Sequence, residues 1–153
     1  IGFLYFFLND QFLQEKYQDM IKVVYVQNID NLEVAPFKMV LKDVKPSKIN
    51  FTKILSLPEY DSQWVQNTFR PYEIDGYFKL SNAENVHKIF GYPDTIEECQ
   101  NGNNQILLLQ LDTDEQLGLI FGNNGRLFVY ISEEDLHCQN FSNVMTMIQD
   151  YNN

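Results

Sequence analysis

Cysteine, proline, glycine and late positive charge are all scarce in this chain, and each shortage narrows what it can be. Two cysteines, Cys99 and Cys138, are too few for a disulfide framework in 153 residues, so both read as reduced thiols of a cytoplasmic protein. Five prolines and seven glycines leave no room for a linker or a low-complexity tail. The longest apolar run, Ile1 to Leu8, stops at Asn9-Asp10. It has neither charged leader nor cleavage site, and it is far too short to span a bilayer, which predicts a strand and no membrane segment. A start on Ile predicts an upstream portion absent from this sequence.

Positive charge is the sharpest shortage. Residues 1–88 are near balance, ten Lys and Arg against eleven Asp and Glu, whereas residues 89–153 set Arg126 alone against ten carboxylates, a balance of −9. Such a surface repels phosphate backbones and argues against nucleic-acid binding. It suits a basic protein partner, and its plainer account is a solvated face that keeps the chain soluble.

Aromatics are plentiful: 12 Phe and 9 Tyr, within a 44% hydrophobic composition. They favour sheet over solvated helix, and the length suits one core. Residues 2–8 are expected to be a strand buried on both faces, followed by a polar stretch at 9–19 with a helical turn. Strands are expected at 21–27, 37–42 and 49–55, with a turn region at 28–35. Asp61-Ser62 can cap a short helix reaching Phe69. The segment after Pro71, Tyr72 to Leu80, is interrupted by Asp75-Gly76. Residues 105–111 form a nearly unbroken apolar strand. Residues 117–121 and 126–131 read as two more, joined by Gly122-Asn123-Asn124-Gly125 as a tight primed turn. Phe141, Val144, Met145 and Ile148 fall at helical spacing and predict a closing amphipathic helix to Tyr151. Finally, Gly2 to Asp10 echoes Gly125 to Glu133: a glycine, an aromatic and aliphatic strand, then an acidic turn.

Few residues offer chemistry. Asp112, Asp114 and Glu115 form the densest carboxylate group. Gln116 and Leu117 stand where a calcium loop needs an oxygen ligand and its turn glycine, so a polar turn is the plainer reading. His87, Cys99, His137 and Cys138 are the soft-metal ligands present, and adjacent His137 and Cys138 cannot easily turn toward one ion, so no zinc is expected. Either thiol could be a nucleophile, but Glu97 and Glu98 disfavour the thiolate of Cys99. The Gly122–Gly125 turn lacks a phosphate-binding lysine and opens a strand rather than a helix. His87, ahead of Ile89-Phe90-Gly91, is the leading site candidate; its structural reading is a buried histidine bonded to backbone. Ligand-binding candidates are therefore His87, Asp112 and Asp114, and the acidic run Glu133, Glu134, Asp135 is the partner-binding candidate.

Three stretches carry a family likeness: Gly2-Phe3-Leu4-Tyr5-Phe6-Phe7, His87-Lys88-Ile89-Phe90-Gly91-Tyr92-Pro93, and Leu107 to Asp112 continuing through Gly118 and the Gly122–Gly125 turn to Asp135-Leu136 and Phe141. In this order they resemble the C-terminal part of the YwqG-like family, bacterial proteins with a domain of unknown function. Phe121-Gly122-Asn123 departs from a Trp-Gly-Asp tripeptide common there, and Ile96-Glu97 replaces an apolar residue followed by glutamine. The resemblance implies an α+β, mainly antiparallel fold, roll- or sandwich-like with a few short helices, forming one domain over 1–153 without the family's N-terminal portion. It brings no catalytic residue, metal or cofactor. The expected function is a cytosolic, non-enzymatic binding protein with an immunity-like role. The alternative is an enzyme or small-ligand-binding protein whose site near His87 is completed by that N-terminal portion.

Overall fold

In the computed structural model, residues 2–8, 21–28, 30, 33, 46–60, 62–81, 87–96 and 104–151 are described. Strand β1 (Phe3–Leu8) pairs antiparallel with β2 (Ile21–Val26), in register from Phe3 opposite Val26 to Leu8 opposite Ile21. A second sheet has the order β3 (Gln105–Asp112), β4 (Arg126–Ser132), β5 (Met145–Gln149), all antiparallel. Between the sheets in sequence lie α1 (Gln63–Thr68) and α2 (Pro71–Ser81). After β4 come α3 (Glu133–His137) and a single 3-10 turn, Phe141–Asn143. The architecture is α+β and mainly antiparallel, as expected.

The two sheets share one apolar layer. Leu4, Phe6, Leu8, Ile21 and Val23 pack with Leu108, Leu109, Leu127, Val129 and Ile131. The echo between Gly2–Asp10 and Gly125–Glu133 acquires a geometric meaning here. Leu4, Phe6 and Leu8 match Leu127, Val129 and Ile131 in sequence, and both trios face the same core. The opposite face of β4 is buried as well, in a smaller cluster of Leu107, Phe128, Tyr130 and Met147. Isoleucine and three leucines in a row, Ile106 to Leu109, fit both layers because a bulge between Leu107 and Leu109 shifts the register by one residue.

Five expectations are corrected. The first strand is not buried on both faces: its residues alternate, and Phe3, Tyr5 and Phe7 are exposed, because among the described residues one apolar layer lies against it. Residues 49–55 carry no strand pairing and leave Ile49, Phe51 and Leu55 exposed. Residues 117–121 are not a strand. The Asp114 carboxylate accepts the amide hydrogens of Gln116 and Leu117, and the backbone of Asp114 pairs with Leu119, which folds the run into a compact loop. A turn does close at Gly122–Gly125, with the Gly125 amide donating to the Phe121 carbonyl at 2.7 Å, but the strand paired with β4 is β3. The closing helix is absent, since Met145–Gln149 is β5, with Ile148 in the first core and Met147 in the second. The regions expected as a turn and a strand at 9–19 and 37–42 lie outside the described residues.

The α1–α2 pair is built as its sequence dictates. The Ser62 hydroxyl caps α1 by accepting the Val65 amide, and Pro71 opens α2 at the position that needs no amide hydrogen. The Glu73 carboxylate accepts the Arg70 amide at 2.8 Å. Asp75-Gly76 does not split the segment, and α2 runs unbroken through both. Gly76 is exposed, and a Cβ there meets nothing within 4 Å. Gly76→Ala should therefore raise stability by about 0.5–1 kcal/mol in urea unfolding; a decrease would show that this helix interior is not free.

Candidate functional site

The outer edge of β3, away from β4, organises the polar residues of the chain. Lys88 pairs with Gln110 through two backbone hydrogen bonds, 3.0 and 2.8 Å. One step along the same edge, the Asp112 amide donates to Nδ1 of His87 at 3.1 Å. With Nδ1 as acceptor, the ring hydrogen lies on Nε2, which faces Oδ2 of Asp114 at 3.8 Å. Residues 25 positions apart in sequence, His87 and Asp112, thus meet, and Asp114 joins them. The structure brings together all three sequence-predicted ligand-binding candidates. The imidazole is bonded to backbone as expected but is 35% exposed rather than buried.

A bend follows immediately. Phe90 and Gly91 both adopt left-handed backbone, φ 60° and 81°. Glycine accepts this readily; phenylalanine does not, and the strain is on the order of 1 kcal/mol. Gly91 also lies against Ser56, where a side chain would meet the serine Cβ at 2.6 Å. The bend is clamped on every side. Lys88, its side chain only 7% exposed, pairs through Nζ with Asp94 and donates to the Tyr92 carbonyl. The Ser56 hydroxyl accepts the Tyr92 amide at 2.8 Å. The clamped turn presents Ile89, Phe90 and Tyr92 outward, each between two-fifths and one-half exposed. Tyr77 of α2 lies nearby: burial, and then the neighbouring Tyr92, raise its phenol above the ordinary value, and its hydroxyl donates to the Pro58 carbonyl.

Residues 94–96 then cross the end of the three-stranded sheet as a strap. The Asp94 amide donates to the buried Gln110 side chain at 2.9 Å, on β3. Arg126 of β4 donates to the Asp94 carbonyl at 2.9 Å and, through Nε, to the Asp112 carboxylate at 2.8 Å. The Ile96 amide donates to the buried Gln149 side chain at 2.7 Å, on β5. Asp112, Arg126 and Gln149 are cross-strand neighbours in one row, so three adjacent strands hold the strap together. Glu59 receives both the amide and the hydroxyl of Thr95 and ties residues 56–60 to the outside of it. Sequence reasoning missed Lys88, Asp94, Gln110, Arg126 and Gln149. The available signals were a lone cation at the start of an apolar strand and a glutamine inside a leucine run.

The acidic run lies on a different element. Glu133 and Glu134 are exposed on α3. Asp135 is committed to the fold: its carboxylate accepts from Ser132, Asn140 and Asn143, and its amide bonds the capping Ser132 hydroxyl. Cys138 at the end of α3 is a free, exposed thiol, and Cys99 lies outside the described residues. Among the described residues, no three His, Cys, Asp or Glu side chains gather to hold a metal ion. Nor, among them, is any helix long and apolar enough to cross a membrane.

The arrangement defines an α+β fold with a strapped sheet and an outward-facing aromatic turn. The chain belongs to the family described as Domain of unknown function (DUF1963), whose family model matches residues 1–149. No curated protein matches it.

Proposed function

We propose that the chain is a cytosolic, non-enzymatic binding domain that grips a protein partner through the turn Ile89–Tyr92. The observation that carries this reading is the strained, left-handed Phe90 held outward on a turn anchored by Lys88, Asp94 and Ser56. Strain that the surroundings hold in place at an exposed aromatic is the mark of a preorganised contact, since rigid aromatic side chains lose little entropy on binding. Lys88 and Arg126 are already paired within the fold, which leaves them little capacity for chemistry. The −9 balance of residues 89–153 favours a basic partner, with Glu133 and Glu134 as its outlying contacts. The stretches Gly2–Phe7, His87–Pro93 and Leu107–Asp112 support a place in the YwqG-like, bacterial part of the family, for which an immunity-like role is the interaction we favour.

Phe90→Gly separates stability from binding. Glycine relieves the left-handed strain while the half-exposed ring is lost, so stability should stay within about 1 kcal/mol of wild type. Affinity for a partner captured from native lysate should fall roughly 30-fold, the size of a hot-spot loss. Raising the salt should slow association. A partner whose affinity is untouched by Phe90→Gly, Tyr92→Ala and salt would sink the proposal. A second reading, an enzyme or small-ligand site at His87, Asp112 and Asp114, is favoured by the accessible Nε2 facing Asp114. A small molecule co-purifying against His87 would select it instead.

A further inference from the structure

We infer that His87 is a pH-operated latch: when neutral it bonds the β3 edge at Asp112, just ahead of the Ile89–Tyr92 turn, and when protonated it gives up that bond. The inference concerns regulation of the surface proposed above and rests on that reading for its biological meaning, but the latch itself is a property of the isolated protein. The neutral ring accepts the Asp112 amide hydrogen at Nδ1, 3.1 Å away. Protonation places a hydrogen on that nitrogen, and an acceptor becomes a second donor facing the first. The bond cannot survive, and Asp112 is among the buried polar residues, so its amide loses its acceptor where water reaches it poorly.

The groups around the ring give the released imidazolium a destination. Oδ2 of Asp114, in the loop after β3, stands 3.8 Å from Nε2 and attracts the charged ring. The Asp112 carboxylate, on β3, is occupied by Arg126 of β4 and by the Thr113 amide. Lys88, next to His87 in sequence, is occupied by Asp94 and the Tyr92 carbonyl. Protonation therefore moves the ring from a backbone partner to a side-chain partner. The segment then keeps to β3 through the Lys88–Gln110 backbone pair and the two bonds between Asp94 and the Gln110 side chain, while the tie at Asp112 is lost. The ring is a third exposed, so protons reach it without unfolding.

The experiment follows the Asp112 amide by hydrogen exchange, corrected for the intrinsic pH dependence, alongside the nitrogen shifts of the His87 ring. In wild type, neutral His87 should carry its hydrogen on Nε2, and Asp112 protection should drop roughly tenfold across the titration of that ring. His87→Asn keeps an acceptor near the Nδ1 position but cannot protonate, so Asp112 should stay protected at every pH. His87→Phe has no acceptor, so Asp112 should be unprotected at every pH. A neutral ring with its hydrogen on Nδ1 overturns the latch. So does Asp112 protection that ignores the ring's titration, or a pH step that persists in His87→Asn. Because these readouts need no partner, failure of the latch and failure of the binding proposal are distinguishable.

Discussion

Phe128→Ala should lower the unfolding free energy by about 3–5 kcal/mol, the range for deleting a fully buried aromatic ring. Phe128 sits at the middle of β4, the central strand, between Gln110 on β3 and Met147 on β5, and has no exposed surface. Its ring stacks on Tyr130, with centroids 6.1 Å apart and planes inclined by 16°. This face cannot collapse easily into the space left behind. Gln110 beside it is held by Asp94 through two side-chain hydrogen bonds, which fix the strap at a set height above the sheet. The cavity therefore adds to the lost transfer energy instead of closing. Urea denaturation should show a lower midpoint with an unchanged slope. A loss below about 1 kcal/mol would mean that this second layer packs loosely and that β4 draws its stability from the first core alone.

How much of this was legible in sequence depends on how far apart the cooperating residues lie. The runs Phe3–Leu8, Ile21–Val26, Gln105–Asp112 and Arg126–Ser132 were visible because each carries its strand signal locally, in β-branched and aromatic residues. The helix capped by Ser62 was visible for the same reason. Met145–Gln149 was not. Phe141, Val144, Met145 and Ile148 fit a helical period, and five residues are too few for alternation to compete with it. The deciding influence is the open edge of β4, which a local pattern does not report. The apolar run 117–121 misled in the opposite way, because a single carboxylate, Asp114, captured two amides and turned the chain before a ladder could form.

The site divides along the same line. His87, Asp112 and Asp114 could be chosen by residue type, and they do converge, but the sequence held no sign that a single bridge at Lys88 would bring them together. The left-handed Phe90 was equally hidden, with only the following Gly91 as a hint of a bend. The acidic run shows the converse. Glu133, Glu134 and Asp135 look alike in sequence, yet two are exposed and the third is bound into the cap of α3 and to Asn140 and Asn143. Charge counting finds the acidic surface; only the hydrogen bonds show which carboxylates are free to use it.

Arg126→Met should cost about 3 kcal/mol, and the loss should be concentrated in the strap. Arg126 is the single cation of residues 89–153. Its Nε holds Asp112 at 2.8 Å, where the two side chains keep only 21% and 12% of their surface, and its Nη1 holds the Asp94 carbonyl. Removing it leaves a largely buried carboxylate without a counterion, the costly half of a broken ion pair, and strips the strap of its middle support. Solvent still touches both side chains, so the loss should fall at the low end of the range for buried pairs. Adding Asp112→Asn should recover at least half of it. Asparagine carries no charge to strand, and its Oδ1 can still accept the Thr113 amide that Asp112 accepts at 2.8 Å. Hydrogen exchange gives the second readout: the Asp94 and Ile96 amides, bonded to Gln110 and Gln149, should open faster in Arg126→Met, while the β1–β2 pair is little changed. If the double variant is no more stable than Arg126→Met, the energy resides in the Asp94 carbonyl contact rather than in the ion pair. If exchange quickens equally in both sheets, Arg126 supports the whole fold, and the strap is not a separate unit.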